Sequence, residues 1–167
     1  MIFKSQAPQI VKTRSELGFH AATWDKLPIR LIGILSEIDD VEAALRADLT
    51  SSGVLGLELS DVVLYTVSVL QDIYGDVWGS KDTLNRSISK YNDPSILCAQ
   101  VRKCTMRAYA EWRRDHRTGV QRSLEELLWS LNSLANALDV NLLDYVELKL
   151  QENAKRSHLH GGKNPDS

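Results

Sequence analysis

The chain has 167 residues, enough for one domain with a substantial hydrophobic core. Its hydrophobic content of 43% and charged content of 25% are ordinary for a soluble globular protein, and its net charge of −2 argues against nonspecific nucleic-acid binding. Two cysteines, Cys98 and Cys104, are too few for a disulfide framework. The N-terminus lacks the continuous apolar stretch of a signal peptide, and the most apolar segment, 54–71, is too short and too charged for a membrane span. These features predict a cytoplasmic protein with no membrane partner.

The first half of the chain is predicted to contain three helices. Residues 7–20 are a weak candidate. Residues 26–48 are a strong one, with Asp25 as the expected N-cap. Their apolar stripe follows the helical period: Leu31, Ile34, Leu35, Ile38, Val41 and Leu45. Residues 54–75 are apolar on every side of a helix, which predicts a central, buried position.

The second half begins with a polar, turn-rich connection over residues 79–94. A helix is predicted from Pro94 to about residue 117, with Gly119 as its break. Ser123 then caps the next helix, since Glu126 three residues later completes a capping-box pattern. The apolar stripe of this helix has the helical period: Leu124, Leu127, Leu128, Leu131, Leu134 and Leu138.

The C-terminal part is predicted to be a last helix from Leu142 to Arg156, followed by a polar tail over residues 157–167. All of these elements belong to one all-α domain over residues 1–167. A faint internal repeat relates residues 58–78 to residues 123–143. It leaves open two related half-bundles in one chain, or two amphipathic helices that are alike by chance.

Two carboxylate pairs carry the strongest chemical signal. Glu37 and Asp40 are three residues apart, as are Glu58 and Asp61, so each pair shares one helix face. Both pairs lie among apolar residues, and two such helices facing each other would gather four acids. Burying unpaired carboxylates is costly, and a hard cation such as Mg²⁺ relieves that cost. Acids that are capped or salt-bridged are the alternative. A di-iron site is disfavoured because neither pair is a Glu-x-x-His motif.

Charge is unevenly distributed along the chain. Residues 37–61 contain seven acidic residues and one basic residue, whereas residues 94–122 contain seven basic and two acidic ones. This asymmetry suits a metal with a polyanionic ligand, and it equally suits two helices that attract each other.

A set of phosphate-binding side chains is predicted on the last helix. Lys149, Asn153 and Arg156 are four and three residues apart and therefore share one face. Lysine and arginine bind phosphate oxygens, although cations in the last turns of a helix also stabilise its dipole. Trp24 is a candidate for stacking on a base.

The acidic segments resemble the MazG-like, all-α nucleoside triphosphate pyrophosphohydrolases. Residues 36–46 are similar to the first acidic helix of that family and residues 58–65 to its second, with Asp40 where glutamate is usual. The segment 18–25 is similar to a stretch that precedes the acidic helix in some members. Lys149–Arg156 and the His160–Lys163 tail resemble the closing K-x-x-x-N-x-x-R helix and H-G-G-K tail of the family.

The resemblance implies catalytic helices over residues 26–75, a connection over 79–94, supporting and phosphate-contacting helices over 95–156, and a tail over 157–167. It implies hydrolysis of a (deoxy)nucleoside triphosphate to the monophosphate and pyrophosphate, with Mg²⁺ as cofactor or Mn²⁺ as its substitute. It also implies a homo-oligomer, with a dimer favoured. The implied residues are Glu37, Asp40, Glu58 and Asp61 as metal ligands, Glu37 also as general base, and Lys149, Asn153, Arg156, Lys163 and Trp24 as substrate-binding residues. A non-catalytic nucleotide-binding or helical interaction module is the alternative.

Overall fold

The computed structural model describes residues 3–47, 53–79 and 93–159, with side chains described to residue 156. These residues form six α-helices and contain no strand, which confirms the predicted all-α, multi-helix bundle. The helices are α1 (Ala7–Glu16), α2 (Leu27–Arg46), α3 (Val54–Tyr74), α4 (Pro94–Arg113), α5 (Arg117–Ala137) and α6 (Leu142–Leu159). Two short 3₁₀ turns, Lys4–Gln6 and Gly75–Val77, flank α1 and α3.

The bundle is built from two helical hairpins. The most extensive helix contacts join α4 to α5 and α2 to α3, and the hairpins meet where α2 packs on α4 and α3 packs on α5. Helices α1 and α6 pack on each other and on the remaining surface of α3. Helix α3 therefore contacts α1, α2, α5 and α6, which is why its sequence is apolar on nearly every side.

The predicted apolar stripes face the core. In α2 the side chains of Leu31, Ile34, Ile38 and Val41 are buried, while Leu35 and Leu45 are partly buried. In α5 the leucines from 124 to 134 are buried. Both cysteines, Cys98 and Cys104, are free and buried in α4, as small core residues should be.

The ends of α2 and α3 lie close to their predicted positions. Helix α3 ends where Gly75 adopts a φ of 56°, a left-handed conformation that glycine adopts without strain. The predicted N-cap at Asp25 is wrong. Lys26 occupies the N-cap position of α2, and no side chain caps this helix. Residues 48–52 and 80–92, which hold most of the predicted turn and connection, lie outside the described residues.

The junction between α4 and α5 differs from the prediction. The chain turns at Arg114–His116, where Asp115 has a φ of 53°, whereas Gly119 lies inside α5 instead of breaking the helix. A Cβ at Gly119 would collide with a carboxylate oxygen of Glu111, so this glycine permits a close tertiary approach. Ser123 is likewise inside α5, where its hydroxyl donates to the Gly119 carbonyl, so it is not an N-cap.

One helical segment among the described residues, Val54–Val77, is long and apolar enough to cross a membrane. Two thirds (67%) of its most apolar window is buried inside the protein, as is typical of the central helix of a bundle.

Candidate acidic site between helices α2 and α3

The α2–α3 hairpin brings the two predicted acid pairs together. Carboxylate oxygens of Glu37, Asp40 and Glu58 all lie within 4.8 Å of one another. Asp61 lies one turn from Glu58 on α3, and its charge acts on Glu37. The two helices therefore bring three of the four predicted acids, Glu37, Asp40 and Glu58, into one acidic cluster, and Asp61 lies beside it.

A close approach of α2 and α3 next to the acids depends on a glycine. A Cβ at Gly33 would lie 2.9 Å from Cε1 of Tyr65, closer than real Cβ contacts. Gly33 is one helical turn before Glu37, and Tyr65 is one turn after Asp61. This contact therefore helps to set the separation of the two helices beside the acids.

Burial and mutual repulsion perturb the acids. Burial, followed by the charges of Asp61, Asp40 and Glu58, raises the pKa of Glu37 to about 7. Burial and the same kind of repulsion also raise the pKa of Glu58. The ionised forms of Glu37 and Glu58 are therefore destabilised in the protein without a bound cation.

Asp61 differs from the other three acids because it has a protein cation. Lys149 Nζ donates to Asp61 Oδ2 at 2.7 Å, and the two side chains are only 16% and 24% exposed. Burial raises the pKa of Asp61, and the hydrogen bond and charge of Lys149 offset part of that rise. In contrast, the carboxylates of Glu37, Asp40 and Glu58 accept no hydrogen bond and form no ion pair within the described part of the chain.

A second glycine–tyrosine contact positions Lys149. The ring of Tyr145, on α6, packs so closely on α3 that a Cβ at Gly56 would lie 2.5 Å from it. Tyr145 is one turn before Lys149, and Gly56 is close to Glu58 along α3. The small residue thus allows α6 to dock where its lysine reaches Asp61.

Two arginines add positive charge near the acids. Arg156 of α6 and Arg14 of α1 both lower the pKa of Asp61, after the larger effects of burial and Lys149. Arg156 was predicted from the spacing of the last helix, and Asn153 lies on the same helix face, half-buried. The described residues include no hydrogen-bond partner for the Asn153 side chain.

Arg14 is the residue that sequence reasoning missed. Its guanidinium lies 4.2 Å from the ring centroid of Tyr65 and 4.5 Å from that of Phe19. Burial lowers the pKa of Arg14. The sequence offers no signal for this placement, because a single arginine in a weakly amphipathic helix is usually a solvated residue. Only the packing of α1 on α3 brings it to the site.

Trp24 is not brought to the acids. Its indole N–H donates to Asp115 at 3.0 Å, and the guanidinium of Arg117 lies 4.5 Å from its ring centroid. These contacts hold the segment before α2 against the α4–α5 turn. Glu37 is thirteen residues further along the chain, so Trp24 packs at a different level of the bundle. Lys163 and His160 lie outside the described residues.

Part of the basic segment pairs with acids on the opposite flank of α2. Arg102 of α4 forms ion pairs with Asp39 and Glu42, neither of which belongs to the acidic cluster. Arg107 pairs with Glu126 of α5 at 2.9 Å. These contacts favour the interpretation that the charge asymmetry includes attraction between helices.

The acidic cluster suits a hard divalent cation. Three carboxylates whose oxygens converge within 4.8 Å, and which have no described hydrogen-bond or ion-pair partner, are the donor set that Mg²⁺ or Mn²⁺ prefers. Glu37, Asp40 and Glu58 would hold such an ion. Asp61 would join them if Lys149 moved to another acceptor, such as a phosphate oxygen.

Comparison with known proteins adds no relative. No family model, no curated protein and no solved structure matches this chain.

Proposed function

We propose that this protein is a Mg²⁺-dependent hydrolase that converts a (deoxy)nucleoside triphosphate to the monophosphate and pyrophosphate. The observation that carries the proposal is the unpaired acidic cluster of Glu37, Asp40 and Glu58, bordered by the cations Lys149 and Arg156. A cation site beside phosphate-binding side chains is what the hydrolysis of a metal-bound polyphosphate requires. The resemblance of the acidic and C-terminal segments to MazG-like enzymes supports the same reaction class.

The side chains have distinct roles in this proposal. A bound Mg²⁺ would neutralise phosphate charge and lower the pKa of a coordinated water. Glu37 is the preferred general base; its pKa of about 7 belongs to the metal-free protein, and a bound cation would lower it. Lys149 exchanges Asp61 for a phosphate oxygen when the substrate binds, and Arg156 stabilises charge on the phosphates with its forked donors. Asn153 orients the nucleotide.

The experiment that tests the proposal measures pyrophosphate release from a panel of canonical and modified nucleoside triphosphates, with Mg²⁺, with Mn²⁺ and with EDTA. We expect metal-dependent release that Glu58→Gln reduces by at least about a hundredfold while the far-ultraviolet circular dichroism is unchanged. Asp39→Asn is the matched control, since Asp39 lies beside Asp40 in sequence but pairs with Arg102 on the other flank of α2. No release from any nucleotide, or full activity of Glu58→Gln, would refute the proposal.

A non-catalytic nucleotide-binding protein is the second candidate. The ion pair between Lys149 and Asp61 favours it, because this pair already neutralises one of the four acids. This alternative predicts that Mg²⁺ and a nucleotide raise the melting temperature without any turnover across the panel. Turnover of even one nucleotide that Glu58→Gln abolishes would exclude it.

A further inference from the structure

A polar stripe continues along α3 beyond the acidic site. Asp61, Tyr65, Ser68 and Asp72 follow one another at intervals of four, three and four residues, so they share one face of a largely apolar helix. At 1.5 Å per residue, Ser68 lies about 10 Å and Asp72 about 16 Å from Asp61 along the helix axis. The stripe therefore leads from the acids to a region that the proposed reaction does not yet use.

A cavity of about 110 Å³ lies at this far part of the stripe. Helix α1, the loop after it and helix α3 form its walls. The side chains that define its chemistry are Arg14, Phe19, His20, Ser68 and Asp72. The cavity thus combines one cation, one anion and an aromatic ring.

The two charged groups in this cavity do not neutralise each other by direct contact. Asp72 Oδ2 accepts a hydrogen bond from the backbone N–H of Ala22 at 2.8 Å, which fixes the carboxylate at the cavity wall. The guanidinium of Arg14 packs on Phe19 and Tyr65. Within the described residues, neither Arg14 nor Asp72 belongs to an ion pair. Asp72 therefore keeps acceptor capacity, and Arg14 keeps donor capacity, for a ligand between them.

Burial shifts the pKa of both groups toward the neutral form, as expected for charges that their surroundings only partly compensate. It raises the pKa of Asp72, against the opposing effects of the Ala22 hydrogen bond and of the nearby cations Arg14 and Arg30. It lowers the pKa of Arg14, although Tyr65 and Asp72 act in the opposite sense. A ligand that donates to the carboxylate and accepts from the guanidinium would stabilise both groups.

We propose that this cavity binds the base of the nucleotide and selects bases that carry an exocyclic amino group, namely cytosine, adenine or guanine, over uracil and thymine. The inference rests on the proposed function, which places the phosphates at the acidic end of the stripe. Asp72 accepts a hydrogen bond from the amino group, and Arg14 donates to the ring nitrogen next to it, as in cytosine or adenine. Uracil and thymine present O4 to the carboxylate and N3–H to the guanidinium at the same two positions, so both contacts become repulsive. Phe19 supplies an apolar wall. Asp61 at the phosphate end and Asp72 at the base end are about 16 Å apart along the helix axis, a distance comparable to the length of an extended nucleoside triphosphate.

The test uses Asp72→Asn and the exposed control Asp76→Asn. The side-chain oxygen of the introduced asparagine still accepts the Ala22 N–H, whereas its amide now offers a donor to the cavity, so the hydrogen-bond polarity is inverted at nearly constant shape. We expect the ratio of kcat/KM for dCTP over dUTP to fall by about tenfold or more in Asp72→Asn, mainly through KM, and to be unchanged in Asp76→Asn. A role that is only structural would lower both values together and leave their ratio intact.

A binding measurement separates failure of the base pocket from failure of the proposed reaction. Saturation-transfer NMR with deoxycytidine and deoxyuridine, which have no phosphate, is carried out in EDTA on the wild type and both variants. Preference for deoxycytidine that Asp72→Asn reverses supports the pocket even if no triphosphate is hydrolysed. Hydrolysis with an unchanged base ratio in Asp72→Asn, or no selective nucleoside binding, overturns the pocket and leaves the proposed reaction to its own assay.

Discussion

Replacing Glu37 with glutamine should stabilise the metal-free protein at alkaline pH. The pKa of Glu37 lies at about 7 in the folded protein, against 4.5 for an ordinary glutamate. Since each pKa unit corresponds to about 1.4 kcal/mol, ionisation of Glu37 opposes folding by at most about 3–4 kcal/mol. The side chain is partly exposed and solvent screens its repulsion, so we expect about 1–2 kcal/mol.

The sign of the pH dependence follows from the raised pKa. The contribution of protonated Glu37 is fully present below about pH 4.5, and it is lost as the pH rises through about 7. In EDTA at pH 8, Glu37→Gln should therefore melt about 2–8 °C above the wild type. Between pH 4.5 and 7 its stability should change less with pH than that of the wild type. Thermal unfolding in EDTA at pH 8 measures the first effect, and urea unfolding at several pH values between 4.5 and 7 measures the second.

Saturating Mg²⁺ should make the wild type more stable than Glu37→Gln, the reverse of their order in EDTA. A ligand at a hundred times its Kd stabilises the folded state by about 2.7 kcal/mol, and only the wild type retains the complete acid cluster. Asp39→Asn should follow the wild type in both buffers. If Glu37→Gln is less stable than the wild type in EDTA at pH 8, the carboxylates are not crowded and desolvated, and the reasoning behind the metal site fails.

Two further substitutions test the contacts that assemble the site. Lys149→Met should destabilise the metal-free protein at pH 8 by about 1–3 kcal/mol in urea unfolding, because it leaves the half-buried Asp61 without its cation. Adding Asp61→Asn should restore most of the lost stability. If the effects of the two substitutions are simply additive, the two side chains do not stabilise each other. Gly56→Ala should reduce stability more than Gly33→Ala in the same assay. Its Cβ would lie within 2.6 Å of three ring carbons of Tyr145, whereas the Cβ at Gly33 would approach one ring carbon of Tyr65 to 2.9 Å and its neighbours only to 3.5 Å. Overpacking costs about 1–3 kcal/mol and opposes the helix propensity of alanine, so equal effects would show that α6 docks without this close contact.

Much of the fold could be predicted because the apolar period is a local property. The apolar residues from Leu31 to Val41 predict which face of α2 is buried, and the apolar residues on every side of α3 predict a central helix. The acid pairs were equally readable, since residues three apart share a face in any helix. The spacing alone does not show whether the two pairs face each other across two helices. In the structure the carboxylate oxygens of Glu37, Asp40 and Glu58 converge, and Asp61 pairs with Lys149 instead.

The errors arose where tertiary contacts decided local structure. Gly119 is predicted to break a helix, but it lies within α5, where a side chain would collide with Glu111 and His116; the glycine is explained by this tertiary contact and not by a turn. The actual turn uses Asp115 in a left-handed conformation, which the sequence does not mark as glycine would. The position of Arg14 cannot be predicted for a related reason. The rings that pack on its guanidinium, Phe19 and Tyr65, come from the loop after α1 and from α3.

The order of the elements along the chain has a consequence for biosynthesis. The four acids belong to the second and third helices, whereas Lys149 comes from the last one. The ribosome therefore synthesises all four of these acids well before Lys149, whose ammonium group neutralises Asp61. Until the C-terminal helix is synthesised, the counter-ions for these acids are Arg14 of α1 and dissolved cations.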